Sequence, residues 1–272
     1  MPHPAFKLGR RVDHDVRSRR YPARAADPST LTSVRHARFV PVLDQGTLGS
    51  CTGNAAIGAI GSGHLFLALP DSARELLGRT ADEVETTAVS VYATATTMDD
   101  WEGEYPPTDT GSSGLAVAKV LKSVGWISGY RHAFSLAAAL TALAEAPVIT
   151  GLPWYSSMFE PDLDGRLRVH RGTGPDGGHE VVLDELDVAN RRVWLTNSWG
   201  PNWGVGGRAW LSWDDFGQLL AEQGDVTVLL AATEPPPVPT PLPGIPYPED
   251  EKPRCNWMHR VGDAIRSLLS GR

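Results

Sequence analysis

Three residue types whose combination can activate a thiol occur in one order along the chain: Cys51, His179 and Asn197. A cysteine attacks as the thiolate, so it needs a base within hydrogen-bond reach and a third group that orients the base. Cys51 follows Gly49 and Ser50 and opens the run CTGNAAIGAIGSGHLFLAL, whose small and apolar residues predict a buried helix from Cys51 to Leu69. A helix N-terminus favours negative charge and lowers a thiol pKa. His179 stands in GGHEVVLDELD between a glycine-rich loop and a strand, and Asn197 in LTNSWGPNWGVGGRAWL at the end of another strand. The histidine follows the cysteine by 128 residues and the asparagine follows the histidine by 18. Taken singly, each also has a plain structural role: Cys51 as a buried small hydrophobe, His179 and Asn197 as ordinary loop residues.

Taken together, three blocks resemble the papain-like (C1) family of cysteine peptidases, in a style closest to its bacterial and phage members. They are DQGTLGSCTGNA (44–55), GGHEVVL (177–183) and NSWGPNWGVGG (197–207). The resemblance spans about residues 35–230 and is weak between the blocks. It implies Cys51 as nucleophile, paired as a thiolate with the imidazolium of His179, and Asn197 as the group that holds the ring. It implies Trp199 as the cover of that hydrogen bond, and Gln45 as an oxyanion-hole donor beside the Cys51 amide. Gly111, in DTGSSG (109–114), would pair with substrate backbone, whereas Trp154 and Tyr155 are read equally as pocket lining or core packing. Trp203 and glycines 204, 206 and 207 read as architectural. The implied activity is hydrolysis of peptide bonds in peptide or protein substrates by an endopeptidase. Two alternatives stay open: a thiol-dependent peptidoglycan amidase or transpeptidase, and a non-catalytic papain-like binding module. The chain departs from the family at Thr52, where an aromatic residue is usual, and at Leu48, where a half-cystine is common.

The elements that must position these residues follow from periodicity. Val117, Val120, Leu121 and Val124 form the stripe of a helix over Gly114–Val124, and Leu136, Leu140 and Leu143 that of a helix over Ser135–Glu145 with Ser135 as cap. After residue 145 the pattern predicts strands at Val148–Leu152, Leu167–His170, Glu180–Leu186, Val193–Asn197, Arg208–Ser212 and Val226–Leu230, with a short helix at Trp213–Gln223. Helices followed by antiparallel strands predict an α+β fold of two lobes facing across a groove. The resemblance adds that the helical lobe is N-terminal and that the C-terminal lobe is an antiparallel, β-barrel-like sheet.

Composition narrows the class further. With 272 residues, 41% hydrophobic content and nine tryptophans, the chain is not a disordered one. Two cysteines exclude a multi-disulfide scaffold and a four-thiolate zinc site, and no metal or other cofactor is expected. The net charge of −7 averages unlike segments: residues 1–40 carry +6, 41–233 carry −13, and 234–272 are balanced. The expected organisation is a basic N-terminal arm (1–34), a peptidase domain (35–233), a proline-rich linker (234–253) and an amphipathic C-terminal helix (254–272) that docks on the body or a protein partner. The arm is expected either to wrap the acidic body or to cover the groove and be trimmed. Its seven basic residues before position 25 are interleaved with acids, so nucleic acid is not an expected partner. No signal peptide and no transmembrane segment are read, and the expected location is cytoplasmic, in a bacterium or phage-infected host.

Overall fold

The computed structural model describes residues 6–172 and 174–232; the proline-rich linker and C-terminal helix expected from the sequence lie outside the described residues. The run opened by Cys51 forms a first helix, α1 (Cys51–Ile60), in which every residue is buried. Its glycines permit close approach: a Cβ at Gly53 would meet Tyr92, and one at Gly58 would meet Val182. The expected single helix to Leu69 is instead two, because Ser62 is extended and Gly63 takes φ +58°, after which α2 (Gly63–Leu67) restarts. Two helices that are not among the expected elements follow, α3 (Asp71–Leu77) and α4 (Ala81–Thr96). Thr80 and Glu83 form a capping box at the start of α4, which satisfies two otherwise free backbone amides. The expected amphipathic helix is α5 (Gly114–Ser123), capped by Ser113. Ile57, Ile60, Val84, Val91, Val117 and Leu121 share one core among these helices. Fully burying a side chain of this size contributes roughly 1.5–3 kcal/mol.

A short strand, β1 (Val34–Arg35), precedes these helices, and β2 (Ile127–Ala133) follows α5. The latter strand was not expected, and it shows that the division into helices first and strands afterwards is too sharp. Next come α6 (Leu136–Glu145), capped by Ser135 as read, β3 (Val148–Trp154), β4 (Gly177–Asp187), β5 (Arg192–Thr196) and β6 (Arg208–Ser212). Helix α7 (Trp213–Ala221) and strand β7 (Asp225–Ala231) end the described fold. The antiparallel sheet runs β2-β7-β3-β4-β5-β6, with β1 pairing with β4. Leu140 and Leu143 of α6 pack with Leu183, Val193, Leu195 and Phe216, so α6 belongs to the core of the second lobe. The expected strand at Leu167–His170 does not form. Only Arg166 bridges to Trp210, and Leu167 donates one bond to the Trp210 carbonyl at 2.9 Å.

The N-terminal residues lie along the body. Ala23 donates to the His132 carbonyl (2.8 Å), His132 donates to the Tyr21 carbonyl (3.0 Å), and the Ala26 amide donates to Thr141 Oγ1 (2.9 Å). No described helix is long and apolar enough to cross a membrane.

Candidate active site

Cys51 is the first residue of α1 and is fully buried. Helix α1 packs on β4, and the Cys51 sulfur faces the backbone amides of Glu180, Gly9 and Thr52. The first of these belongs to the residue after His179, so the helix start and the strand start meet at one point. On β4, His179 pairs in register with Leu152 of β3, and its side chain is fully buried. Asn197 follows β5, and its Oδ1 lies 2.7 Å from His179 Nε2. Because the Ser198 amide also donates to that Oδ1 at 2.8 Å, the Asn197 oxygen faces the ring and Nε2 is the protonated nitrogen. Nδ1 is left buried without a hydrogen-bond partner.

Aromatic packing fixes the ring. Trp199 stacks on His179 at 4.5 Å between centroids and 24° between planes, and Trp154 meets it edge-on at 4.8 Å. Trp154 is fully buried, and Tyr155 donates from its hydroxyl to Glu222 (2.9 Å), so both serve packing. Trp203 donates from its indole to the Phe159 carbonyl at 2.7 Å and holds the loop after Asn197 in place.

Gln45 joins the site through Ser198, which the sequence reading did not single out. The Ser198 hydroxyl donates to Gln45 Oε1 at 2.6 Å and orients the amide nitrogen away from itself. That nitrogen donates to the carbonyls of Leu48 (2.6 Å) and Lys7 (3.2 Å). Gly111 takes φ +71° and abuts the Gly9 carbonyl, but the backbone bonds come from its neighbour. The Ser112 amide donates to the Gly9 carbonyl (2.9 Å), and Arg11 donates to the Ser112 carbonyl (2.6 Å). Gly111 shapes the strip and Ser112 makes the bonds.

Of the two paths expected for the arm, along the body or over the groove, residues 6 to 11 follow the second, with the Gly9 amide facing Cys51. Phe6 stacks on Trp199 at 4.4 Å, the Lys7 carbonyl takes the Gln45 amide, and Arg10 donates to the Gly178 carbonyl at 3.0 Å. Gly9 fits because it lacks a side chain; a Cβ there would collide with the Gly49 backbone. Lys7 also pairs with Asp109 at 3.5 Å.

Enclosure controls the charges. Burial, then the Glu180 carboxyl, push the Cys51 thiol up to about 12 against the three amides that favour the thiolate. Burial pushes His179 down to about 4, with Asn197 opposing. Between these values the covered pair is a neutral thiol and a neutral imidazole. The linkage has a definite sign. Unfolded His179 takes up a proton below its ordinary 6.5 while the folded residue does not, so stability is lost as pH falls from 6.5 towards 4. We expect this residue to contribute about 3 kcal/mol to the loss of unfolding free energy between pH 7 and pH 4. Urea titrations at the two pH values should show that portion of the loss disappearing in His179→Gln.

No protein-family model matches the chain, and no curated protein matches it in sequence. Solved structures do match. Xylellain, a cysteine protease from Xylella fastidiosa, aligns at TM-score 0.59 and 18% identity over 86% of this chain and 100% of its own. The digestive procathepsin L 3 of Tenebrio molitor larval midgut aligns at TM-score 0.52 and 16% identity, over 78% of this chain and 76% of its own. With its helical lobe, its antiparallel sheet and the groove residues between them, the chain has the two-domain fold of the papain-like cysteine proteases.

Proposed function

We propose that the chain is a cysteine endopeptidase held closed by its own N-terminal arm. The reading is supported by Cys51 at a helix N-terminus facing the amide of Glu180, the residue after His179, whose Nε2 is held 2.7 Å from Asn197 Oδ1 and whose Nδ1 is buried without a hydrogen-bond partner. With the arm displaced, water enters, the burial that separates the two pKa values is relieved, and the proton moves from Sγ to Nδ1. The thiolate then attacks a peptide carbonyl carbon. Gln45 Nε2, released from the Lys7 carbonyl, donates to the oxygen as it gains charge. His179 passes its proton to the leaving nitrogen as the C–N bond breaks. In the second half it takes a proton from water, whose oxygen attacks the thioester carbon and expels the Cys51 thiolate. Asn197 and Trp199 are positioning residues that keep the ring turned correctly throughout. The use of two cysteines in the whole chain supports a reducing, cytoplasmic setting.

The covering arm is itself poorly posed for attack. Its Lys7 carbonyl occupies Gln45, while the sulfur faces the amide of Gly9, so different peptide units engage the two halves of the site.

Digestion of a random peptide library tests the reading. The expected result is internal cleavage that falls on the order of 10²–10³-fold in kcat/KM for Gln45→Ala, since one oxyanion donor is lost. Turnover of cell-wall peptides alone would assign the chain to amidase chemistry, and no turnover from an opened groove would leave a binding module.

A further inference from the structure

Three arginines meet two carboxyl groups beside the last turn of α1. The sheet register sets Arg35 of β1 opposite Glu185 of β4, and Arg208 of β6 opposite Thr196 of β5. Arg35 Nε lies 3.4 Å from Glu185 Oε2, while Arg208 Nη2 donates to Asp184 Oδ1 at 2.7 Å and to Glu185 Oε2 at 2.9 Å. The Thr196 hydroxyl donates to Asp184 Oδ2 at 2.5 Å. Both acids are thus engaged, and Arg38 is left without a carboxylate of its own. Its Nη2 donates to the Pro41 carbonyl at 3.0 Å, but Nε and Nη1 are buried with no hydrogen-bond partner. The guanidinium lies against α1, where a Cβ at Gly58 would sit 3.3 Å from Nη1. Burial lowers the Arg38 pKa to about 10 against the pull of Asp184, so the group is still a cation at neutral pH. A buried cation with two unused donors is costly unless an acceptor is supplied.

The adjoining cavity has the size and the lining for an anion. Arg35, Arg38, Arg208, Asp184 and Thr196 line a space of about 220 Å³. It opens to solvent beside Arg35, whose side chain is 67% exposed. The space exceeds the roughly 30 Å³ share of one water but falls short of the roughly 300–1,000 Å³ of a drug-sized ligand site. Guanidinium groups present paired N–H donors that match the oxygens of a tetrahedral oxyanion. Asp184 adds a selection. A carboxylate has about four lone-pair sites, and Arg208 and Thr196 use one on each oxygen, so accepting capacity remains in the wall. Sulfate has no hydrogen to give it, whereas a phosphate group near its second pKa, about 6 in a monoester, carries a hydroxyl. We propose that this cavity is a phosphate-binding site: Arg38 and Arg208, with Arg35 at the mouth, hold the oxygens, and Asp184 accepts the hydroxyl. Bound there, the phosphate group ties the segment that leads into α1 to strands β4 and β6 of the second lobe. None of these residues belongs to the proposed catalytic machinery, and the inference stands apart from the peptidase reading.

Isothermal titration of the full chain at pH 6 and constant ionic strength tests the site, with inorganic phosphate, glycerol 2-phosphate and sulfate as the ligands. Inorganic phosphate is expected to bind at one site per chain, and sulfate about 10-fold more weakly, because it offers Asp184 no hydrogen. Tighter binding of inorganic phosphate than of glycerol 2-phosphate assigns the free ion as the occupant; the reverse order assigns a small phosphate monoester. Arg38→Met keeps an unbranched stem and removes the buried charge, and is expected to weaken phosphate about 10- to 100-fold. If that variant folds only partly, Arg35→Gln changes an exposed side chain at the mouth and is expected to weaken phosphate about 2- to 5-fold. No phosphate binding by the wild type, or binding that is unchanged in both variants, would overturn the site. Sulfate binding as tight as phosphate binding would overturn the role of Asp184 and the assignment to phosphate with it.

Discussion

Replacing Cys51 by alanine is expected to lower peptide hydrolysis on the order of 10⁴-fold, measured as kcat/KM in a chain whose groove has been opened. The expected loss is large because no second group at the site can form the thioester. The substitution removes one sulfur atom from a fully buried position at the start of α1, and the surrounding packing remains. Its cost to stability is expected at about 1 kcal/mol, so a retained melting transition distinguishes loss of chemistry from loss of fold. A Cys51→Ala chain that kept a tenth of the activity would place the nucleophile elsewhere.

The second large effect runs in the opposite direction. Gly9→Val is expected to increase the rate of active-site labelling about 10- to 100-fold. The added Cβ meets the Gly49 backbone, which cannot swing aside as a flexible side chain would. Overpacking of this kind costs roughly 1–3 kcal/mol, and that cost falls on the closed arrangement alone. The arm also loses the fit by which the Gly9 amide faces Cys51 and its carbonyl bonds to Ser112. Once the arm lifts, Cys51 and His179 leave the enclosure that holds them near 12 and 4, and the thiolate becomes accessible at neutral pH. Labelling rates measured beside thermal midpoints check this; an unchanged rate in a folded Gly9→Val chain would contradict closure by the arm.

What could be read from the chain depended on whether the information was local. Cys51, His179 and Asn197 stand out as candidates because thiol chemistry constrains residue type and order, and glycine and tryptophan mark the turns around them; the hydrogen bond between His179 and Asn197 is a contact that only the fold supplies. The caps at Ser113 and Ser135 and the stripes of α5 and α6 were likewise local signals. Helix α4 is hard to read because Thr87, Ala88, Ala95 and Thr96 on its buried face dilute the apolar stripe of Val84, Val91 and Tyr92; the Thr80–Glu83 capping box is the signal to use. The break in the first helix followed from Gly61-Ser62-Gly63, where backbone freedom outweighed the apolar pattern. Leu167–His170 has strand-like residues but no long partner, since only a single bridge reaches Trp210.

The groove was harder to read. Ser198 orients Gln45 through a contact spanning 153 positions, and the arm pairs with Ser112, one residue after Gly111, through bonds about 100 positions apart in the chain. Gly151, Glu180 and Asp225 become neighbours only through the pairing of β3 with both β4 and β7. A path such as that of Phe6 to Arg11, which follows a surface rather than a helix or strand of its own, leaves no periodic trace. Its anchors include an aromatic ring on Trp199, the Arg10 guanidinium between carboxyl groups and the backbone bonds to Gly178 and Ser112, all of them long-range contacts.

The proposed mechanism turns on activation of Cys51 as the nucleophile beneath a displaceable arm. It is tested most directly by incubating the full chain with a thiol-directed peptidyl epoxide and mapping the adduct by mass spectrometry. One adduct is expected, on Cys51, formed slowly in the wild type and rapidly in Gly9→Val, and absent from Cys51→Ala. An adduct on Cys255, or labelling that survives Cys51→Ala unchanged, would contradict it.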